Sequence, residues 1–164
     1  MTVRRTIRVK AFQALFQLAH NYKSNQEDAI KFAINYSLEL PEETIDEYNE
    51  LEALKASLPL DNPTDKLATD SLAYLKDLVT GVKSEEKFLD EEISKRLQNW
   101  SIHRIELTTL LILRIAAYEL YFHEEIDPSI VMNEAIELTK SFNNENASKF
   151  VNGVLQGILD AKEA

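Results

Sequence analysis

The chain has no cysteine, three glycines, four prolines, two methionines and one tryptophan in 164 residues. Without cysteine there is no disulfide framework, no thiolate metal site and no Cys nucleophile, which fits a reducing cytoplasm. So few glycines and prolines leave little turn chemistry, and apolar residues recur at helical rather than alternating spacing. The most apolar stretch, residues 107–118, is too short to span a bilayer and carries Arg114. The N-terminus is basic but lacks the apolar run and cleavage site of a signal peptide. Also missing are a Gly-rich phosphate loop, a His-Glu-x-x-His pair and a nucleophile elbow. His20, His103 and His123 lie on three separate segments with no second ligand at i+4. These absences predict one soluble, intracellular, all-α domain without enzymatic activity, cofactor, metal or small-molecule substrate.

What is present is a lopsided charge. Net charge is −10, yet the first 26 residues hold five Lys/Arg and no acid. Residues 27–164 carry 13 basic against 28 acidic side chains. Cations at the positive end of a helix cost roughly 0.3–1 kcal/mol each, so helix stability alone does not explain Arg4, Arg5, Arg8 and Lys10. Free backbone N–H groups, a dipole and several guanidinium forks suit phosphate. Pairing of these arginines with the acidic body is the other reading, and charge alone leaves both open.

The periodicity predicts a first helix over about 7–22, with Ile7, Ala11, Leu15, Leu18 and Tyr22 inward and Lys10, Gln13, Gln17 and Asn21 outward. Ser24 and Glu27 form a capping box for a second helix with Ile30, Ala33, Ile34 and Leu38 inward. Residues 41–64 read as a variable acidic insertion holding one short helix. Asn62-Pro63 caps the next helix, which buries Leu72, Leu75, Val79 and Val82. Gly81 kinks or ends it, and Phe88, Leu89, Ile93 and Leu97 continue the pattern to about residue 99. Residues 105–122 are apolar almost all round, the mark of a central helix. Asp127-Pro128 starts a helix to residue 142, and an Asn-rich turn leads to a last helix over about 147–160. Its Gly153 and Gly157, four apart, admit close approach of another helix.

Three stretches then carry a resemblance: "RRTIRVKAFQALFQL", "NWSIHRIELTTLLILRIAAYEL" and "IDPSIVMNEAIELTKSFNNENASKFVNGVL". Together they resemble the NusB family of bacterial transcription antitermination factors. The resemblance implies an all-helical, non-catalytic chain of two small helical bundles packed into one domain over residues 1–164. It implies binding of boxA, a short single-stranded RNA element of ribosomal RNA operon leaders. The implied partners are the ribosomal protein called NusE in this role and the antitermination complex on RNA polymerase, with no membrane. Carried over by position, the implied RNA-binding residues are Arg4, Arg5, Arg8 and Gln13 at the start, and Asn146, Lys149 and Phe150 at the last helix. Relatives often have an acid at Asn146, an acidic–basic pair at Thr109-Leu110 and a third arginine at Thr6.

Two residues need a structural reading as well. Arg114 in an apolar helix requires a partner, because an unpaired buried charge costs several kcal/mol; Glu134 and Glu119 are the candidates, and a structural salt bridge with Glu134 is expected. Phe150 sits at the edge of an apolar face, where core packing competes with a role as a platform for a base. The alternative function is an acidic helical scaffold that docks a basic protein without touching RNA.

Overall fold

The computed structural model describes residues 2–20, 25–35, 50–98 and 100–164. Among them lie eight α-helices and no strand: α1 Val3–His20, α2 Gln26–Asn35, α3 Glu50–Ser57, α4 Asp65–Ser84, α5 Glu86–Ser94, α6 Leu107–Phe122, α7 Pro128–Phe142 and α8 Glu145–Glu163, with one 3-10 turn at Ile102–Arg104. Tyr22, Ser24, Leu38 and residues 41–49 of the sequence reading fall outside the described residues. The chain divides into two compact units, Met1–Thr80 and Gly81–Ala164.

In the first unit α1 packs on α2, and α2 on α3. Thr2 caps α1, its Oγ1 accepting from the Arg5 N–H at 3.1 Å, so the helix starts at Val3 rather than near residue 7. Ile7, Ala11 and Leu15 are buried as expected, and so are Phe12 and Ala14. Enclosure on more than one side corrects the placing of Lys10 on the outer face: it is only 2% exposed. Its Nζ donates to the carbonyls of Ala33 and Ile34, each at 3.3 Å. Those carbonyls lie in the last described turn of α2, and a cation suits the negative end of a helix dipole. Burial pushes the Lys10 amine down to about 8, so at neutral pH it remains an ammonium.

Asn25 is the cap of α2, its Oδ1 accepting from the Asp28 N–H at 2.8 Å. Helix α4 is capped by Thr64, which accepts from the Leu67 N–H at 3.1 Å, not by Asn62. Helices α3 and α4 are tied by Lys55 to Asp65 and by Lys76 to Glu50 at 3.5 Å. Leu75, Val79 and Val82 of α4 are buried, whereas Leu72 is half-buried.

In the second unit α5, α7 and α8 all pack against α6. Gly81 neither kinks nor ends α4, which runs on to Ser84. A Cβ there would lie 2.2 Å from Cζ and the hydroxyl oxygen of Tyr118, a buried ring of α6; the glycine lets the ring rest on the helix backbone. Asp127 caps α7, accepting from the Ser129 N–H at 2.9 Å, with Pro128 in the first turn as expected. Asn144 caps α8, accepting from the Ala147 N–H at 2.9 Å. Lys162 repeats what Lys10 does, its Nζ donating to the Leu120 carbonyl at the end of α6. The two α8 glycines differ. A Cβ on Gly157 would sit 3.1 Å from Cδ of Arg96, while one on Gly153 would meet nothing within 4 Å. The expected close contact therefore applies to Gly157 alone, and its neighbour is an arginine stem.

Two measurements check these contacts. Lys10→Met removes two hydrogen bonds to α2 carbonyls and is expected to cost about 1–3 kcal/mol in chemical denaturation. Between about pH 8 and 10.5 the unfolded chain keeps a proton that folded Lys10 has lost, so the natural chain gains stability as pH rises through that window. The Lys10→Met variant lacks this rise. Gly81→Ala gains about 1 kcal/mol of helix propensity but loses more to the clash with Tyr118, since overpacking costs typically 1–3 kcal/mol or more; its melting temperature falls.

Candidate functional site

The seven residues proposed from the sequence to bind RNA fall into two groups, one in each unit. Arg4 and Arg5 occupy the first turn of α1, a turn with no acidic residue. Arg4 is exposed and Arg5 half-exposed. Arg8 departs from expectation. Implied by the resemblance to meet RNA, it is only 4% exposed, because α1 is enclosed from Thr6 onward and the next turn carries the side chain inward. Thr6, at the position of the relatives' third arginine, is buried and its hydroxyl donates to the Thr2 carbonyl at 3.0 Å. Gln13 is half-buried, and its Oε1 is buried with no hydrogen-bond partner among the described residues.

The second group opens α8. Asn146 and Lys149 are exposed on its first turns, where backbone N–H groups and the positive dipole end face outward. Phe150 is half-buried, neither a core residue nor a bare platform. Its ring centroid lies 5.9 Å from that of Trp100, with the planes 31° apart. Trp100, the sole tryptophan of the chain, is 55% exposed. It was quoted within the middle stretch but given no role; a lone tryptophan among polar residues was the signal.

A cavity of about 330 Å³ lies beside these rings, lined by Arg96, Gln98, Trp100, Lys149, Phe150 and Gly153 among others. That volume is at the small end of ligand sites, about 300–1,000 Å³. Arg96 is held by the Gly157 contact and by Glu92, its Nη2 3.7 Å from Oε2. Its Nε is buried without a hydrogen-bond partner among the described residues. Glu92 is itself held below the usual carboxylate range, first by its hydrogen bond from Lys95 and also by Tyr121. Burial, and then the bond to Glu92, push the Tyr121 phenol up to about 12.

Arg114 is paired, as a cation in an apolar helix must be, and α5 supplies two of the acids it meets. Nε and Nη2 donate to Oδ1 and Oδ2 of Asp90 at 2.8 and 2.9 Å, and Nη2 lies 3.7 Å from Glu86. Asp90 and Glu86 stand on α5, which packs against α6. Thr109 is also internal: it is buried and accepts from the Asn143 side-chain amide at 3.1 Å, which also donates to Glu106 at 3.0 Å. A larger, open depression of about 1020 Å³ along α5 is lined by alternating lysines and acids such as Lys83, Glu86, Lys87 and Asp90. These charges balance one another and select no ligand. Among the described residues no group of three or more His, Asp or Glu is placed to hold a metal ion, and no helix is long and apolar enough to cross a membrane.

Comparison with known proteins places this geometry. A family profile described as the NusB family matches residues 5–160. The transcription antitermination protein NusB of Bacillus subtilis (strain 168) is 40% identical over 155 residues, covering 94% of this chain and 93% of that protein. The protein of the same name from Lactiplantibacillus plantarum is 39% identical over 157 residues, 95% of this chain and 94% of that one. Among solved structures, the antitermination factors NusB and NusE in complex with dsRNA include a chain similar at a TM-score of 0.72 and 25% identity, covering 97% of both chains. T. maritima NusB matches at a TM-score of 0.69 and 28% identity, covering 94% of this chain and 89% of that one.

The Arg114 assignment has a direct check. Its side chain is 14% exposed and that of Asp90 27%, so partial solvation tempers the loss. Arg114→Ala is expected to cost about 1.5–3 kcal/mol, the range for hydrogen bonds to charged groups. Asp90→Asn should reproduce much of the Arg114→Ala loss in the same denaturation assay.

Proposed function

Because the chain belongs to the NusB family, we propose that it is a transcription antitermination factor that binds boxA RNA of ribosomal RNA operon leaders as a single strand. It does so together with NusE, within the antitermination complex on RNA polymerase, and without catalysing a reaction. The observation that carries this reading is the first turn of α1. Arg4 and Arg5 stand at the positive end of a helix whose own first turn holds no acid, an arrangement that opposes helix stability and suits a phosphate. Lys149 and Asn146 are exposed near the start of α8, whose first turn also carries Glu145, and Phe150 supplies a half-exposed ring for stacking. Arg8 and Lys10, both buried, act within the protein.

A net charge of −10 repels a polyanion at long range, so the bound RNA depends on local contacts and on NusE, a second protein that adds contacts of its own. The scaffold alternative draws on the internal use of Arg8 and Lys10. It gives no account of exposed Arg4 and Lys149 at two helix starts.

Salt dependence and charge reversal test the reading. If Arg4, Arg5 and Lys149 neutralise three phosphates at about −0.7 each, the log–log slope of affinity against salt is about −2. The double variant Arg4→Glu, Arg5→Glu should lose about a hundredfold or more in boxA affinity with an unchanged helical spectrum. Unaltered affinity in that variant, with and without NusE, would move the RNA site away from α1.

A further inference from the structure

Gly153 and Trp100 are both unexplained by packing. Glycine inside a helix is less favourable than alanine, and Gly157 is accounted for by the Arg96 stem lying against it. Nothing lies within 4 Å of where a Gly153 Cβ would stand. The bare backbone at that point is the floor of the cavity beside Trp100 and Phe150. Trp100 meanwhile keeps more than half its surface in water, although burying an indole is strongly favourable.

We propose that this cavity takes one unpaired nucleobase of the bound RNA, with the base face against Trp100 and Phe150 and its edge over Gly153. The proposal rests on the RNA-binding reading above and adds to it a defined nucleotide site. The residues lining the cavity include two cations, Arg96 and Lys149, and the amide of Gln98, but no carboxylate. An occupant with a flat π face and a nearby negative charge fits that set, and a basic peptide finds no partner in it. Sandwiching a base needs the rings about 6.8 Å apart, twice the 3.4 Å spacing of stacked bases. Their centroids are 5.9 Å apart with the planes 31° from parallel, the spacing of two rings in mutual contact, so a base enters between them when the exposed Trp100 ring swings outward.

Because Trp100 is the only tryptophan, its emission reports on this cavity alone. The experiment titrates the full chain with a dye-labelled single-stranded boxA oligonucleotide, following tryptophan emission and dye anisotropy in parallel, with NusE present and absent. Emission should be quenched with the same midpoint as the anisotropy change. Gly153→Leu fills the cavity from an open position and should keep or raise the melting temperature. It should abolish the quench and weaken binding about 5- to 150-fold, the equivalent of one base–aromatic stack. Trp100→Ala, read by anisotropy, should show a loss in the same range. Wild-type affinity in both variants overturns the proposal. Binding that depends on Arg4 and Arg5 but leaves Trp100 emission unchanged overturns it while the RNA reading stands. Emission that answers to NusE and not to RNA gives the cavity to a protein side chain, which also overturns it. Absence of any RNA binding, with NusE present, removes both readings together.

Discussion

From Leu107 to Phe122 almost every side chain is apolar, so α6 has no face that it can leave in water, and α5, α7 and α8 pack around it. Its one cation, Arg114, fixes which neighbour lies where. The bidentate pair with Asp90 holds α5 on one side, and a fork of this kind constrains angle as well as distance. With α5 so held, the segment that follows it brings Arg96 and Trp100 beside the opening turns of α8. The small site near Phe150 is thus a consequence of enclosing α6, and Gly81 and Tyr118 add the close contact that seats the last turn of α4 there.

For an acidic protein to bind RNA, as proposed, it must ration its cations. Lys10 and Lys162 are spent on the carbonyl ends of α2 and α6, Arg114 on Asp90, and Arg8 is buried. What faces water at helix starts is Arg4, part of Arg5, and Lys149. This small set explains why the local field can favour phosphate while the whole chain remains anionic, and it fits a factor that works with a protein partner. The same economy separates roles that look alike in sequence: Arg4 and Arg8 are one turn apart, yet only the first remains at the surface.

The helices were legible because long apolar periodicities dominate local propensity, and the caps Asp127 and the Asn-rich turn before α8 were read from their chemistry. The start of α1 was misplaced because its polar first turn shows no apolar rhythm; only Thr2, as a hydroxyl cap, marks it. Lys10 was assigned outward because periodicity cannot tell a surface lysine from one that caps another helix. Arg114 was correctly taken as paired, but its partner depends on which helix covers it, and that follows from tertiary packing. Trp100 and Arg96 escaped notice for a similar reason. Neither has a motif of its own, and their meaning comes from standing beside Lys149, Phe150 and Gly153.

Backbone hydrogen exchange of the full chain, alone and with boxA RNA and NusE, tests the central claim most directly, since both proposed contact regions are helix starts whose N–H groups face outward. The account predicts RNA-dependent protection at residues 2–7 and 145–153, with α3 and α4 unchanged. Protection absent from both helix starts, or confined to the acidic α3 and α4 segment, would contradict it.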